Sequence, residues 1–214
     1  MNFIKKVLHR FHYNAPVTLT FALICLAALL LGNLTNYAST EKLFATYRAP
    51  LSDPLMYVRL VGHAIGHANW SHFMSNMLYI LMLGPILEEK YGGKLLVEMM
   101  VITAVITGII HNIIFPSTML LGASGIVFMF IILASVTNAE KGRIPITFIL
   151  ICILYLGNEV TNAFRDDNIS QLGHLIGGAC GGFFGLFLVA TERKKSGGDG
   201  SGDSDSSSPY SSIE

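Results

Sequence analysis

The sequence predicts an all-α, polytopic membrane protein, a bundle of six transmembrane helices. Three observations carry that expectation. Charged residues make up 13% of the chain and hydrophobic ones 52%, whereas soluble domains carry about 25% charged residues. Six apolar runs recur along the 214 residues, at roughly 17–33, 70–87, 94–115, 120–137, 145–160 and 171–190, and most approach the ~20 residues that a helix needs to cross a bilayer. Nothing between the runs is large enough for a soluble domain. The expected organisation is a cytoplasmic segment 1–16, a membrane domain 17–190 and a disordered cytoplasmic tail 191–214.

The first run follows Lys5, Lys6 and Arg10, as a signal peptide would, but no small-x-small cleavage site comes after it. It therefore reads as a retained span. Residues 34–69 form the one long connection and are expected to fold on or into the membrane surface. The second run reads "HANWSHFMSNMLYI", the fourth "LLGASGIVFMF" and the sixth "QLGHLIGGACGGFFG". In the sixth, Gly177 and Gly181, Gly178 and Gly182, then Gly185 have the small-xxx-small spacing that lets helix backbones approach closely. The fifth run is short for a span. The tail "SGGDGSGDSDSSSPYSSIE" has no apolar anchors, which is the composition of a disordered segment.

Six spans put both ends on one side of the membrane. That side would hold Lys5, Lys6, Arg10, Lys90, Lys94, Lys141, Arg143, Arg193, Lys194 and Lys195; the other would hold Lys42, Arg48, Arg59 and Arg165. The excess of cations places both termini in the cytoplasm, with the plasma (inner) membrane as the expected location. The formal net charge is zero, so no basic surface points to nucleic acid. Cys25, Cys152 and Cys180 all fall in apolar runs and read as packing residues.

Runs two, four and six all start from the outer face, and each has polar residues in its first turns. His72 and Asn76, four apart, share one helix face. Counted from Leu120 and Ser170, Ser124 and His174 each lie about four residues in, roughly 6 Å below their helix starts at 1.5 Å per residue. Ionisable groups inside a span are costly and face a cavity or a partner. A serine hydroxyl becomes a nucleophile when a base takes its proton, and histidine is suited to that task. Attack on an amide puts negative charge on the carbonyl oxygen. The Asn76 amide, the His72 ring N–H and the backbone around Ser124 could all stabilise it. The small neighbours Gly122, Ala123 and Gly125 leave room for a substrate backbone.

These residues resemble the rhomboid intramembrane serine proteases. "GASG" around Ser124 is similar to that family's GxSG motif, "GHLIGGACGG" to its GHxxGxxxG-type sixth helix, and "HAIGHANWSHFMSNMLYI" to its second-helix pattern. The resemblance covers about residues 17–190. It implies six helices and cleavage of single-span transmembrane substrates near their outer ends, without metal or other cofactor. It also implies Ser124 as nucleophile, His174 as base, and His72 and Asn76 at the oxyanion site. Where relatives have a Trp-Arg pair, Arg59 follows Val58. Where they have a tyrosine against the catalytic histidine, Phe128 keeps the ring without the hydroxyl. Glu159 is an acidic candidate for a third triad member, but a Ser–His dyad is the expectation, with Phe128 helping to hold the imidazole.

The remaining polar residues invite plainer readings. His63 and His67 are four apart and could meet a metal, but they lack a third ligand and read as hydrogen-bonding groups of the connection. His111 and Asn112 read as interfacial, Glu88 and Glu89 as solvated or paired, and Trp70 as an interface anchor. Glu88 also stands where relatives have a structural glutamate. Two other functions compete with proteolysis. One is a noncatalytic relative that binds transmembrane helices, although such a protein should have lost the serine or the histidine. The other is a channel or transporter, which should be polar along a whole path.

Overall fold

The computed structural model describes residues 13–137, 146, 149, 150, 153, 154 and 168–198. Most of the fifth apolar run, with Cys152 and Glu159, lies outside the described residues, as do Arg165 and the tail beyond 198. The described helices are α1 (Pro16–Leu34), α2 (Ala38–Leu43), α3 (Pro54–Gly62), α4 (Trp70–Tyr91), α5 (Gly93–Ile114), α6 (Ser124–Thr137) and α7 (Asn168–Gly198). Among the described residues the only β pairing is an isolated antiparallel bridge between Thr46 and Leu120. The all-α expectation therefore agrees with the fold.

Two described helices, α1 and α5, are long and apolar enough to cross a membrane by length and composition alone. The other runs fall short of that measure for visible reasons. The polar residues of α4 include His72, Ser75, Asn76, Glu88, Glu89 and Lys90. α6 has 14 residues. The apolar part of α7 is confined to Leu172–Leu188.

Helix α5 shows how the pattern in the sequence becomes packing. Leu96, Met99, Met100, Thr103, Ala104, Thr107, Gly108 and His111 recur at the three-and-four spacing of one helix face, and all are buried. α6 is apolar all round, and Ile126, Val127, Met129, Phe130, Ile132, Leu133 and Val136 are buried on it. Such a helix belongs in the centre of a bundle, and here it packs against α4, α5 and, most extensively, α7. Buried Cys25 and Cys180 are free thiols that join this core.

Glu88 is buried, in keeping with the structural glutamate that the resemblance implies and not with the solvated reading. Its carboxylate accepts from the backbone N–H groups of Val17 and Thr18, each at 2.9 Å, and from the Thr18 hydroxyl at 2.8 Å. The first N–H groups of a helix have no intrahelical partner. α4 thus supplies, from its far end, the acceptor that caps α1.

The connection between α1 and α4 is ordered by polar side chains. Asp53 caps α3 by accepting from the Leu55 N–H at 2.9 Å, and it accepts from the Arg59 guanidinium at 2.6 Å. The guanidinium lies 4.4 Å from the Tyr47 ring centroid. The Arg59 hydrogen bond, with the Leu55 N–H, holds the Asp53 carboxyl below its usual value of 3.8. His63 and His67 are buried hydrogen-bonding groups of this connection, as expected. The His63 Nε2–H donates to the Ala104 carbonyl and the His67 Nδ1–H to the Ile65 carbonyl, both at 3.0 Å.

Burial pushes both imidazoles from 6.5 down to about 4. The fold therefore holds them neutral, and the unfolded chain takes up protons first. Their contribution to stability is complete above pH 6.5 and is lost as pH falls toward 4. Melting temperature in detergent should decline across that window. His63→Gln, whose amide does not titrate there, should flatten the decline; parallel curves for the two proteins would refute the assignment.

Candidate active site

The segment leading into Ser124 is held from several sides. Thr46 and Leu120 exchange both backbone hydrogen bonds at 2.9 Å. The Gly122 N–H donates to the His63 carbonyl at 2.8 Å. Asn112 donates to the Thr46 hydroxyl at 3.0 Å, and the His111 Nε2–H donates to the Thr118 carbonyl at 3.2 Å. Asn112 and His111 are buried, so the expectation that they are interfacial is corrected. Both sit where the end of α5 meets the loop before α6, and a buried amide or imidazole there satisfies groups that water would otherwise serve.

Ser124 opens α6. The expectation of a start near Leu120 fails because Leu120 is committed to the bridge with Thr46. Between them Gly122 takes φ +124°, a backbone angle that L side chains rarely adopt. Ser124 therefore stands in the first turn, not one turn deep. His174 lies six residues into α7, which starts at Asn168. The two residues therefore do not lie equally far into their helices.

Neighbouring contacts nevertheless bring the predicted residues around the serine. A Cβ on Gly122 would stand 2.6 Å from Cε1 and Nε2 of the His72 ring and 3.7 Å from Nδ2 of Asn76. The absence of a side chain is thus what admits both groups beside the serine loop. On the other flank, a Cβ on Gly125 would stand 3.4 Å from the Gly173 carbonyl, next to His174. One turn beyond Ser124, the Phe128 ring lies 4.3 Å from the His174 ring, centroid to centroid, inclined at 38°. Ser124, His72 and His174 are each half-buried, while Asn76 is buried. The Asn76 Nδ2 finds no hydrogen-bond partner. An unsatisfied buried donor costs about 1–3 kcal/mol.

The approach of α7 to α6 rests on its glycines. A Cβ on Gly177 would run into the Gly125 backbone, one on Gly181 would lie 2.5 Å from the Met129 carbonyl oxygen, and one on Gly185 would strike Val136. The small-xxx-small reading of these three positions describes what they do.

Other features of the site follow no spacing rule. The His67 ring meets the His72 ring edge-on, centroids 5.2 Å apart, and meets Phe73 at 5.5 Å. Four residues separate the two histidines and the Asn69 cap of α4 intervenes, its side chain accepting from the His72 N–H at 2.9 Å. Behind the serine lies a small cavity lined by His63, Thr103, Thr107, Gly122, Ser124 and Gly173, among others. Its space of about 10 Å³ is close to what one water molecule needs. The two threonines come from α5, a helix that had supplied no candidate residue.

Comparison with known proteins identifies the family. The Rhomboid domain family matches residues 54–191, well over half of the chain. The chain is similar to "Rhomboid protease GlpG" of Klebsiella pneumoniae subsp. pneumoniae and to the protein of the same name from Klebsiella pneumoniae strain 342. Each is 29% identical over 119 residues, which is 55% of this chain and 42% of the relative. The chain thus spans less than half the length of these curated relatives. A helical, apolar fold gathers a serine, two histidines and an asparagine beside close-packed glycine helices, and the family match covers every one of those residues: the chain belongs to the Rhomboid family, which includes serine intramembrane proteases.

Proposed function

We propose that the chain is an intramembrane serine endopeptidase that cleaves single-span transmembrane proteins near the outer end of the span. The reading includes a six-helix membrane domain over 17–190, both termini in the cytoplasm, and the plasma membrane as its location. The observation that carries it is the unpartnered, buried Asn76 amide beside the glycine that precedes a half-buried serine.

In this reading the Ser124 Oγ attacks the scissile carbonyl carbon while His174 accepts the hydroxyl proton. The carbonyl oxygen, now negative, receives hydrogen bonds from the Asn76 amide, the His72 ring and the backbone N–H of Ser124. His174 then returns its proton to the leaving amine, and the C–N bond breaks. Water, activated by the same imidazole, releases the acyl group and restores the serine. The small cavity lined in part by Thr107 and Ser124 is suited to supply that water. Phe128 holds the His174 ring in place of the carboxylate that orients it in soluble triads. Gly122 and Gly125 clear the approach of the substrate backbone. A substrate helix hides its carbonyls in its own hydrogen bonds, so a stretch that unwinds near the outer end is the part attacked.

A fluorophosphonate probe tests this with the purified full chain in detergent. It should form a covalent adduct on Ser124, and His174→Gln should slow labelling by at least about a hundredfold without lowering the melting temperature. A folded protein that resists the probe, or that is labelled equally fast without the imidazole, would instead indicate a noncatalytic member that binds transmembrane helices.

A further inference from the structure

Two recesses flank the α1–α4 connection and share one residue. The first, of about 460 Å³, is polar and lies between α2 and the 116–119 loop; Glu41, Lys42, Tyr47, Arg48, Ser117 and Thr118 line it. The second, of about 820 Å³, lies between α3 and the last turns of α5; Leu51, Met56, Tyr57, Leu60, Ile109 and Ile113 form its apolar walls. Arg48 lines both.

We propose that the two recesses form one binding site for an anionic phospholipid of the surrounding bilayer, with its phosphate at Lys42 and Arg48 and an acyl chain along Leu60, Ile109 and Ile113. This site stands apart from the catalytic reading. The second recess suits a hydrocarbon chain and not a peptide. Of the polar side chains on its wall besides Arg48, Asn112 is already engaged with Thr46 and the Tyr57 hydroxyl donates to the Leu51 carbonyl, and a peptide backbone brings N–H and C=O groups that need partners out of water. Ile113 is 70% exposed and Tyr57 56%, so the groove opens sideways toward lipid.

The polar recess supplies the complementary charge. Among the described residues the ion pairs are Arg59 with Asp53 and Lys94 with Glu98, so neither Lys42 nor Arg48 is committed to a carboxylate. Glu41 offsets one of the two cations, and the excess is positive. An anionic headgroup satisfies that excess, whereas the choline cation of a zwitterionic lipid does not. An occupant here would also brace the segment that reaches from Arg48 through Thr46 to Leu120 and the serine loop.

Native mass spectrometry of the delipidated full chain, titrated with phosphatidylglycerol, phosphatidylcholine or inorganic phosphate, tests the proposal. Phosphatidylglycerol should bind about tenfold more tightly than phosphatidylcholine, at one site per chain, and inorganic phosphate should not displace it. A protein carrying both Lys42→Gln and Arg48→Gln should lose that preference, and Ile113→Trp, which fills the groove, should weaken both lipids at unchanged melting temperature. Equal affinity for the two lipids in the unaltered protein would overturn the proposal. So would phosphatidylglycerol binding that survives both sets of substitutions. If the Lys42 and Arg48 changes raise KM for a single-span substrate while lipid binding stays the same, the surface docks substrate and the lipid assignment is wrong.

Discussion

Replacing Ser124 with alanine should reduce cleavage of a single-span substrate in liposomes by at least about ten-thousandfold, with no loss of thermal stability. Removing the nucleophile of a hydroxyl–imidazole pair leaves what positioning and the oxyanion donors can still do, and that residue of catalysis is small. Ser124 is half-buried in the first turn of α6, so the loss of one oxygen opens no sizeable cavity. Asn76→Ala is the informative companion. Losing one oxyanion donor lowers kcat by about 10²–10³, and because the Asn76 Nδ2 has no partner in the resting protein, its removal should spare stability and KM alike. Cleavage that persists in Ser124→Ala would remove the serine from the chemistry. An Asn76→Ala protein with unchanged kcat would remove the amide.

The second large effect concerns the joint between α6 and α7. A methyl group added at Gly177 meets backbone, with the Gly125 carbonyl carbon at 2.7 Å and its Cα at 2.9 Å. Backbone cannot swing aside as a side chain can, so the helices must separate. Overpacking of this kind costs about 1–3 kcal/mol. Separation would also carry Gly173 and His174 away from the Ser124 turn, so Gly177→Ala should lose activity even below its melting temperature. Gly182 is the control on the same helix. Its added methyl would find only Ile132 Cγ2, at 3.9 Å, an ordinary contact. Gly182→Ala should be neutral or slightly stabilising, since alanine favours a helix interior over glycine by about 1 kcal/mol. Equal melting temperatures for the two variants would show that the α6–α7 approach does not depend on Gly177.

Much of this was legible because membrane helices write their constraints into composition and spacing. The buried face of α5 follows helical periodicity, and the glycine repeat of α7 announces a close neighbour before that neighbour is known. The Ser124, His174, His72 and Asn76 set was legible through chemistry, since polar groups in apolar runs demand partners. Residues whose partners lie far along the chain are not legible in this way. The resemblance marks Glu88 as structural, but nothing near it indicates that it caps α1, some 70 positions earlier. His111 and Asn112 look like the frayed end of a span until the Thr46 and Thr118 segments close over them. The start of α6 is hidden for the same reason: an apolar pattern cannot show that Leu120 pairs with Thr46 instead of entering the helix.

The sequence by itself determined that the chain is helical and apolar, which residues are candidates for chemistry, and the family to which their order and spacing belong, because each follows from local composition or from distances of a few residues. The tertiary structure alone decided where the serine helix begins, that a side-chain-free Gly122 admits His72 and Asn76, and that His67 backs His72. Those outcomes depend on contacts between segments tens of residues apart, and such contacts exist only once the packed helices have brought the segments together.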